Sequence, residues 1–190
     1  YDALGRRTAT WTTNRVAQLG TPVLRTSYDA LGRVVSQTEG LPLPLGEGQG
    51  EGAASKTTTY AYSANERTTT VTQPTGATQI TVTDTAGRIV SLSGTAVAPR
   101  FYTYGVNADG TQWTKVYHGT DATAPAWAKT TTDLLGRTIR DEKPGFGGTM
   151  LATTYTYDNG GRMLSQTQNS ISGSVPSVFS VDLSTYDRYG

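Results

Sequence analysis

The hexapeptide Tyr28-Asp29-Ala30-Leu31-Gly32-Arg33 constrains this chain more than any other stretch, because the chain keeps returning to it. The pattern Tyr-Asp-x-x-Gly-Arg recurs in full at Tyr1-Asp2-Ala3-Leu4-Gly5-Arg6 and at Tyr157-Asp158-Asn159-Gly160-Gly161-Arg162. Two further copies keep the Asp and the Gly-Arg but carry Thr in place of Tyr: Thr83-Asp84-Thr85-Ala86-Gly87-Arg88 and Thr132-Asp133-Leu134-Leu135-Gly136-Arg137. A sixth, Tyr186-Asp187-Arg188-Tyr189-Gly190, stops where its Arg would come. An element repeated this often is architecture rather than one active site.

Asp, two variable residues and then Gly have the chemistry of a type I turn. The Asp side chain accepts from turn amides, and the Gly takes the left-handed conformation that follows. A type I turn with a left-handed residue after it is a common hairpin connection. The flanks agree: Thr153-Thr154-Tyr155-Thr156-Tyr157 leads in and Arg162-Met163-Leu164-Ser165-Gln166-Thr167 leads out, both rich in strand-favouring residues. An Asp and an Arg once per hairpin predict charge-assisted hydrogen bonds from one turn to the next, with Arg tying neighbouring hairpins together. Exposed pairs of this kind contribute little, so their expected use is register.

The Asp positions recur at intervals of about 25–30 residues, a period typical of repeat arrays whose units bury surface only against their neighbours. The intervals from Asp29 to Asp84 and from Asp84 to Asp133 are about twice that, so each should hide a degenerate copy. Tyr60-Ala61-Tyr62-Ser63-Ala64-Asn65-Glu66-Arg67 and Tyr102-Thr103-Tyr104-Gly105-Val106-Asn107-Ala108-Asp109-Gly110 fit, since both approach a turn through Tyr-x-Tyr. Residues 41–55, with prolines at the start and alternating glycines at the end, read as a loop insertion at a hairpin tip. A second loop is expected at Asp141-Glu142-Lys143-Pro144-Gly145-Phe146-Gly147-Gly148. No domain boundary is evident, so residues 1–190 read as one repeat segment. Because the chain opens inside one copy and closes inside another, it is expected to be a window on a longer array.

Composition narrows the function classes. Net charge is +1, which gives no electrostatic argument for nucleic acid. Hydrophobic residues are 35% and charged residues only 16%, so the chain lacks the high charge of disorder and suits sheets with at least one wet face. There is no cysteine, hence no disulfide and no thiolate metal site. No run approaches the ~18 apolar residues of a membrane helix, so no membrane span is expected.

The search for chemistry returns little. His118 is the single histidine and has no nucleophile motif around it, so it reads as a surface residue. Asn107-Ala108-Asp109-Gly110 resembles the start of a calcium loop but lacks the further carboxylates, and reads as a plain turn. No phosphate-binding glycine loop is present. Each motif Asp brings its own Arg, which keeps it ionised rather than raising its pKa for acid–base work. Trp11, Trp113 and Trp127 read as packing residues, with stacking on glycans as the alternative. The segment is expected to be non-enzymatic and to need no cofactor or metal.

Taken together, Tyr-Asp-x-x-Gly-Arg at twenty-odd residue spacing, Tyr-x-Tyr before it and Ser/Thr/Gln-rich strands after it resemble the Rhs/YD-repeat family over essentially the whole chain. The motif residues that carry the resemblance are Tyr1, Asp2, Gly5, Arg6, Tyr28, Asp29, Gly32, Arg33, Asp84, Gly87, Arg88, Asp133, Gly136, Arg137, Tyr157, Asp158, Gly161, Arg162, Tyr186, Asp187 and Gly190. The resemblance implies an all-β fold of tandem antiparallel β-hairpins, forming part of a spiralling sheet shell or an elongated array. In bacterial Rhs polymorphic toxins and toxin-complex C components such a shell encloses a toxic C-terminal domain. In wall-associated bacterial proteins and teneurins similar repeats build extracellular structures. The implied role is a secreted or cell-surface bacterial scaffold whose partners are its own neighbouring repeats, an enclosed toxin domain, or other copies through strand edges. A surface fibre and a carbohydrate-binding module are the alternatives. Toxin-branch shells often end in an Asp-based self-cleaving core; this sequence has no Asp-Pro pair, so that activity does not carry over.

Overall fold

The computed structural model describes residues 1–10, 24–39, 55–172 and 175–182, with the backbone alone described over 171–182. Trp11, residues 41–54 of the Pro/Gly-rich stretch, and Tyr186, Asp187 and Gly190 lie outside the described residues.

The described chain is all-β, with one short 3-10 turn at Phe146–Gly148. It divides into two compact units, one of residues 1–88 with 93–97 and one of residues 89–92 with 98–190. The first holds β1 (Ala9–Thr10), β2 (Leu24–Tyr28), β3 (Val34–Glu39), β4 (Lys56–Tyr62), β5 (Thr68–Thr72) and β6 (Thr78–Thr83). After β7 (Ile89–Ser93) the second continues through β8 (Arg100–Val106), β9 (Gln112–Tyr117), β10 (Trp127–Thr132), β11 (Thr138–Pro144), β12 (Met150–Tyr157), β13 (Met163–Ser172) and β14 (Val175–Asp182). Within each unit every strand pairs antiparallel with the next in sequence, and the first strand does not pair with the last. This is a tandem hairpin meander, the fold that alternating Thr/Tyr segments separated by Asp-x-x-Gly turns dictate.

The sheets are held by ladders and cross-strand pairs instead of a packed interior. Among the described residues only Ala152 and Thr131 are fully buried, at 2% and 6% exposure, and both lie in the second unit. Threonine suits such a sheet because its branched Cβ favours the strand while its hydroxyl tolerates water. In the first unit Ser27, Ser36, Thr59, Thr72 and Thr78 oppose one another across five successive strands. The Thr38 and Thr57 hydroxyls meet at 3.0 Å on the same sheet.

The loop expected over Asp141–Gly148 is narrower in the structure. Strand β11 runs on to Pro144, which pairs with Met150, and the turn occupies only the residues after it. Asp141, Glu142 and Lys143 read as loop because they are charged and precede Pro-Gly. They stay in the ladder because Thr153, Ala152 and Leu151 supply their partners, and proline is tolerated at a strand end.

Candidate functional site: the stacked hairpin corners

The repeated motif builds one corner many times over. At Asp29 the backbone N–H donates to the Arg33 carbonyl at 2.9 Å, and the Gly32 N–H donates back to the Asp29 carbonyl at 3.0 Å. Asp29 Oδ1 accepts from the Leu31 and Arg33 backbone N–H groups at 3.0 and 2.9 Å, while Oδ2 accepts from Arg33 Nε at 2.8 Å. Gly32 sits at φ +83°, a conformation that side chains strain to adopt. Asp2, Asp84, Asp133 and Asp158 close their own turns with the same backbone pair and the same clasp on Arg6, Arg88, Arg137 and Arg162. The extra left-handed residue appears in the ladders as a bulge at Ser27/Tyr28, Thr131/Thr132 and Thr156/Tyr157.

One expectation is corrected here. The Asp–Arg pairs do not run from turn to turn; each closes inside its own turn, four residues apart. The reason is reach: with Asp Oδ1 already committed to the turn amides, its Oδ2 faces the Arg that leaves the same turn.

Neighbouring hairpins are joined instead through arginine and tyrosine. The Arg6 guanidinium lies 4.6 Å from the centroid of the Tyr28 ring, Arg33 lies 4.4 Å from Tyr62, and Arg137 lies 4.9 Å from Tyr157. Each of these tyrosines donates its hydroxyl to the carbonyl of the residue just after that Arg. Tyr28 reaches Arg7 O at 2.8 Å, Tyr62 reaches Val34 O at 2.9 Å, and Tyr157 reaches Thr138 O at 2.6 Å. Tyr104 follows the same rule at Ile89 O, 2.7 Å. In the threonine copies the shorter hydroxyls point the same way, Thr83 to Arg67 O at 3.3 Å and Thr132 to Gln112 O at 3.5 Å.

The first tyrosine of Tyr-x-Tyr adds a second rung. Tyr60 donates to Gln37 Oε1 at 2.9 Å and Tyr155 donates to Asp141 Oδ2 at 3.1 Å. Gln37 and Asp141 each stand four residues after the corner Arg of the preceding hairpin, so the two rungs are equivalent positions. Sequence reading missed these acceptors; setting the repeats in register would have revealed them.

Both suspected degenerate stretches contain a corner. Ser63 to Thr68 makes a related turn one residue longer, Ser63 N–H donating to Thr68 O and Glu66 N–H to Ser63 O at 2.9 Å each; Glu66 sits at φ +58° where glycine usually stands, and its Oε1 accepts from Arg33 Nη1 at 2.9 Å. Asn107 to Thr111 repeats the motif turn itself, with Gly110 at φ +85°. There Asp109 Oδ1 is spent on the Thr111 amide and hydroxyl, at 3.0 and 2.6 Å. The same backbone pair also closes Gln73 to Ala77, at the other end of the strands, which sequence reading did not single out.

The clasp sets the charge state of the corners. Hydrogen bonds from the Arg backbone N–H, then from the Arg side chain, hold the carboxyls of Asp2, Asp29, Asp84 and Asp158 below the ordinary value, against a contrary push from burial. At Asp133 burial is the largest single influence and pushes upward, but the Arg137 and Leu135 hydrogen bonds outweigh it. Ionised and fully engaged, these carboxylates are turn clasps.

On the opposite face of the second unit, cations and rings alternate. Lys115 Nζ lies 3.9 Å from the Trp127 ring centroid and 4.7 Å from Tyr117, and Lys129 Nζ lies 5.1 Å from Trp113. Trp113 also covers Gly105, its cross-strand partner, closely enough that a Cβ there would fall 2.3 Å from the ring. Both indoles are thus engaged within the sheet. His118 is exposed beside a turn. Among the described residues no three His, Cys, Asp or Glu side chains gather as metal ligands, and no helix is long and apolar enough to cross a membrane.

No protein-family profile matches the chain, and no curated protein matches it. Among solved structures it is similar to a porin-like protein from Bacteroides uniformis, at 14% identity and a TM-score of 0.31, over 83% of this chain and 87% of that one. A likeness this slight has no bearing on function.

Proposed function

We propose that this chain is a non-catalytic structural scaffold, resembling the encapsulating shell of a secreted bacterial Rhs-type toxin. The observation that supports this reading is the joint between hairpins. Arg6–Tyr28, Arg33–Tyr62 and Arg137–Tyr157 repeat one contact in two units whose described residues include only two fully buried ones. A protein organised this way grows by adding hairpins, and its useful product is surface. The motif residues serve as clasps and joints, the partner of each hairpin is the next one, and a polar lining of Thr, Tyr and Gln would hold an enclosed domain without offering it a core to fold against.

A second reading, a cell-surface or extracellular fibre, is favoured by one observation: among the described residues β1 and β14 each have a strand on one side only, which leaves edges as templates for other chains. Electron microscopy of the chain expressed within its full reading frame separates the two. Closed hollow particles around a C-terminal domain support the shell, continuous filaments support the fibre, and a compact particle with a conventional core removes both.

A further inference from the structure

Phe146 is 98% exposed, at the tip of the turn that joins β11 to β12. A ring left so bare packs against almost nothing among the described residues, and its surroundings are unlike those of the exposed corner leucines. Leu4, Leu31, Leu134 and Leu135 also face solvent, but each stands in a clasped corner. At the Leu135 corner Asp133 Oδ1 accepts from the Leu135 and Arg137 amides at 2.9 Å each, Arg137 Nε reaches Oδ2 at 2.6 Å, and two backbone bonds close the turn. Opening that peptide for a protease would break the whole set.

The Phe146 turn has three fastenings against five at the Leu135 corner, and two of the three reach the carbonyl of the Phe146–Gly147 bond itself. Gly145 N–H donates to Thr149 O at 2.7 Å, and the Thr149 N–H and hydroxyl donate to Phe146 O at 3.3 and 2.8 Å. Gly145, Gly147 and Gly148 flank Phe146 in sequence, and the last two already sit at φ +65° and +79°, where glycine moves without steric cost. Cleavage rate follows the population of the opened form, and exposed tips of small residues open at the least free energy.

We propose that the Phe146–Gly147 peptide bond is a built-in cleavage site for an endoprotease with an apolar S1 pocket, water adding across the amide to leave a carboxylate on Phe146 and an amine on Gly147. Cutting there severs the chain but not the sheet. Strands β11 and β12 stay paired from Arg140↔Thr154 to Pro144↔Met150, and the Tyr157–Thr138 and Tyr155–Asp141 bonds cross the same junction. The product is a nicked array held by hydrogen bonds, able to part only when the hairpins are pulled from each other. This inference does not depend on the scaffold reading, and either can fail alone.

Limited digestion of the full chain with chymotrypsin, followed by mass spectrometry, tests it. Within residues 55–170 the first cut is expected after Phe146, at least about tenfold faster than after Leu135. The two fragments should co-elute in size-exclusion chromatography until denaturant is added. Phe146→Arg should make the same bond the first trypsin site of that turn while removing the chymotrypsin cut. A first cut at Leu135, equal rates at the two sites, a trypsin-resistant Phe146→Arg turn, or fragments that separate at once would each overturn the proposal.

Discussion

The Arg33 guanidinium lies over the ring of Tyr62, 4.4 Å from its centroid, while the Tyr62 hydroxyl donates to the carbonyl of Val34 at 2.9 Å. One tyrosine thus answers both the side chain of the arginine and the backbone beside it. Removing the hydroxyl alone leaves a carbonyl without its donor, so Tyr62→Phe and Tyr157→Phe should each cost about 1–2 kcal/mol. Substitution by Leu also removes the cation–ring contact and should cost about 0.5–1 kcal/mol more. Urea unfolding with a double-mutant cycle against Arg33→Met or Arg137→Met measures the coupling. Strict additivity would show that the joint is no joint.

Gly32 is both left-handed and crowded, because a Cβ there would lie 3.1 Å from Arg6 Nη1. Gly32→Val should destabilise the chain by about 1–3 kcal/mol through strain at that backbone position. The converse test is Glu66→Gly. Relief of the left-handed strain, about 1–2 kcal/mol, opposes the entropy of glycine and the loss of an exposed ion pair with Arg33, so the net change should be within about 1 kcal/mol of zero. A loss as large as that of Gly32→Val would mean that Glu66 acts through something other than its backbone.

Acid should loosen the corners. The Asp2, Asp29, Asp84, Asp133 and Asp158 carboxyls lie below their ordinary value of 3.8 when folded. A lowered folded pKa adds stability that is present above 3.8 and is lost as pH falls through the folded values. The melting temperature followed by circular dichroism should therefore stay level with respect to these groups from neutral pH down to about 4 and fall below it. Asp29→Asn should lower the plateau and reduce the steepness of that fall. A chain equally stable at pH 2 and pH 6 would contradict the clasp.

Gly105 carries the Trp113 indole. Gly105→Ala would place a methyl group within 2.3–2.6 Å of three ring atoms, so the ring must move. Overpacking of this kind should cost about 1–3 kcal/mol, and the displaced indole should red-shift its fluorescence as it leaves the sheet. Lys129→Gln tests the neighbouring cation without touching the glycine, and should cost less than about 1 kcal/mol.

The corners were legible in the chain because they are local. Asp-x-x-Gly-Arg supplies the acceptor, the left-handed residue and the charged partner within a few positions, and even the turns at Ser63–Thr68 and Asn107–Thr111 could be found by counting along the period. The direction of the arginines was not legible. The sequence leaves open whether Asp29 pairs with Arg33 within its turn or with an Arg of the next, and the folded corner puts Arg33 Nε on its own Asp and its guanidinium over Tyr62. Nor could a strand assignment be read for Asp141 to Lys143, whose charges and following Pro-Gly say loop until Leu151 to Thr153 pair with them.

The sequence by itself determined an antiparallel hairpin repeat, since turn chemistry and period-two alternation act over a few residues and need no distant partner. The tertiary structure decided what joins one hairpin to the next. A ring and a guanidinium some twenty to thirty residues apart meet only once the strands between them have paired and set the register.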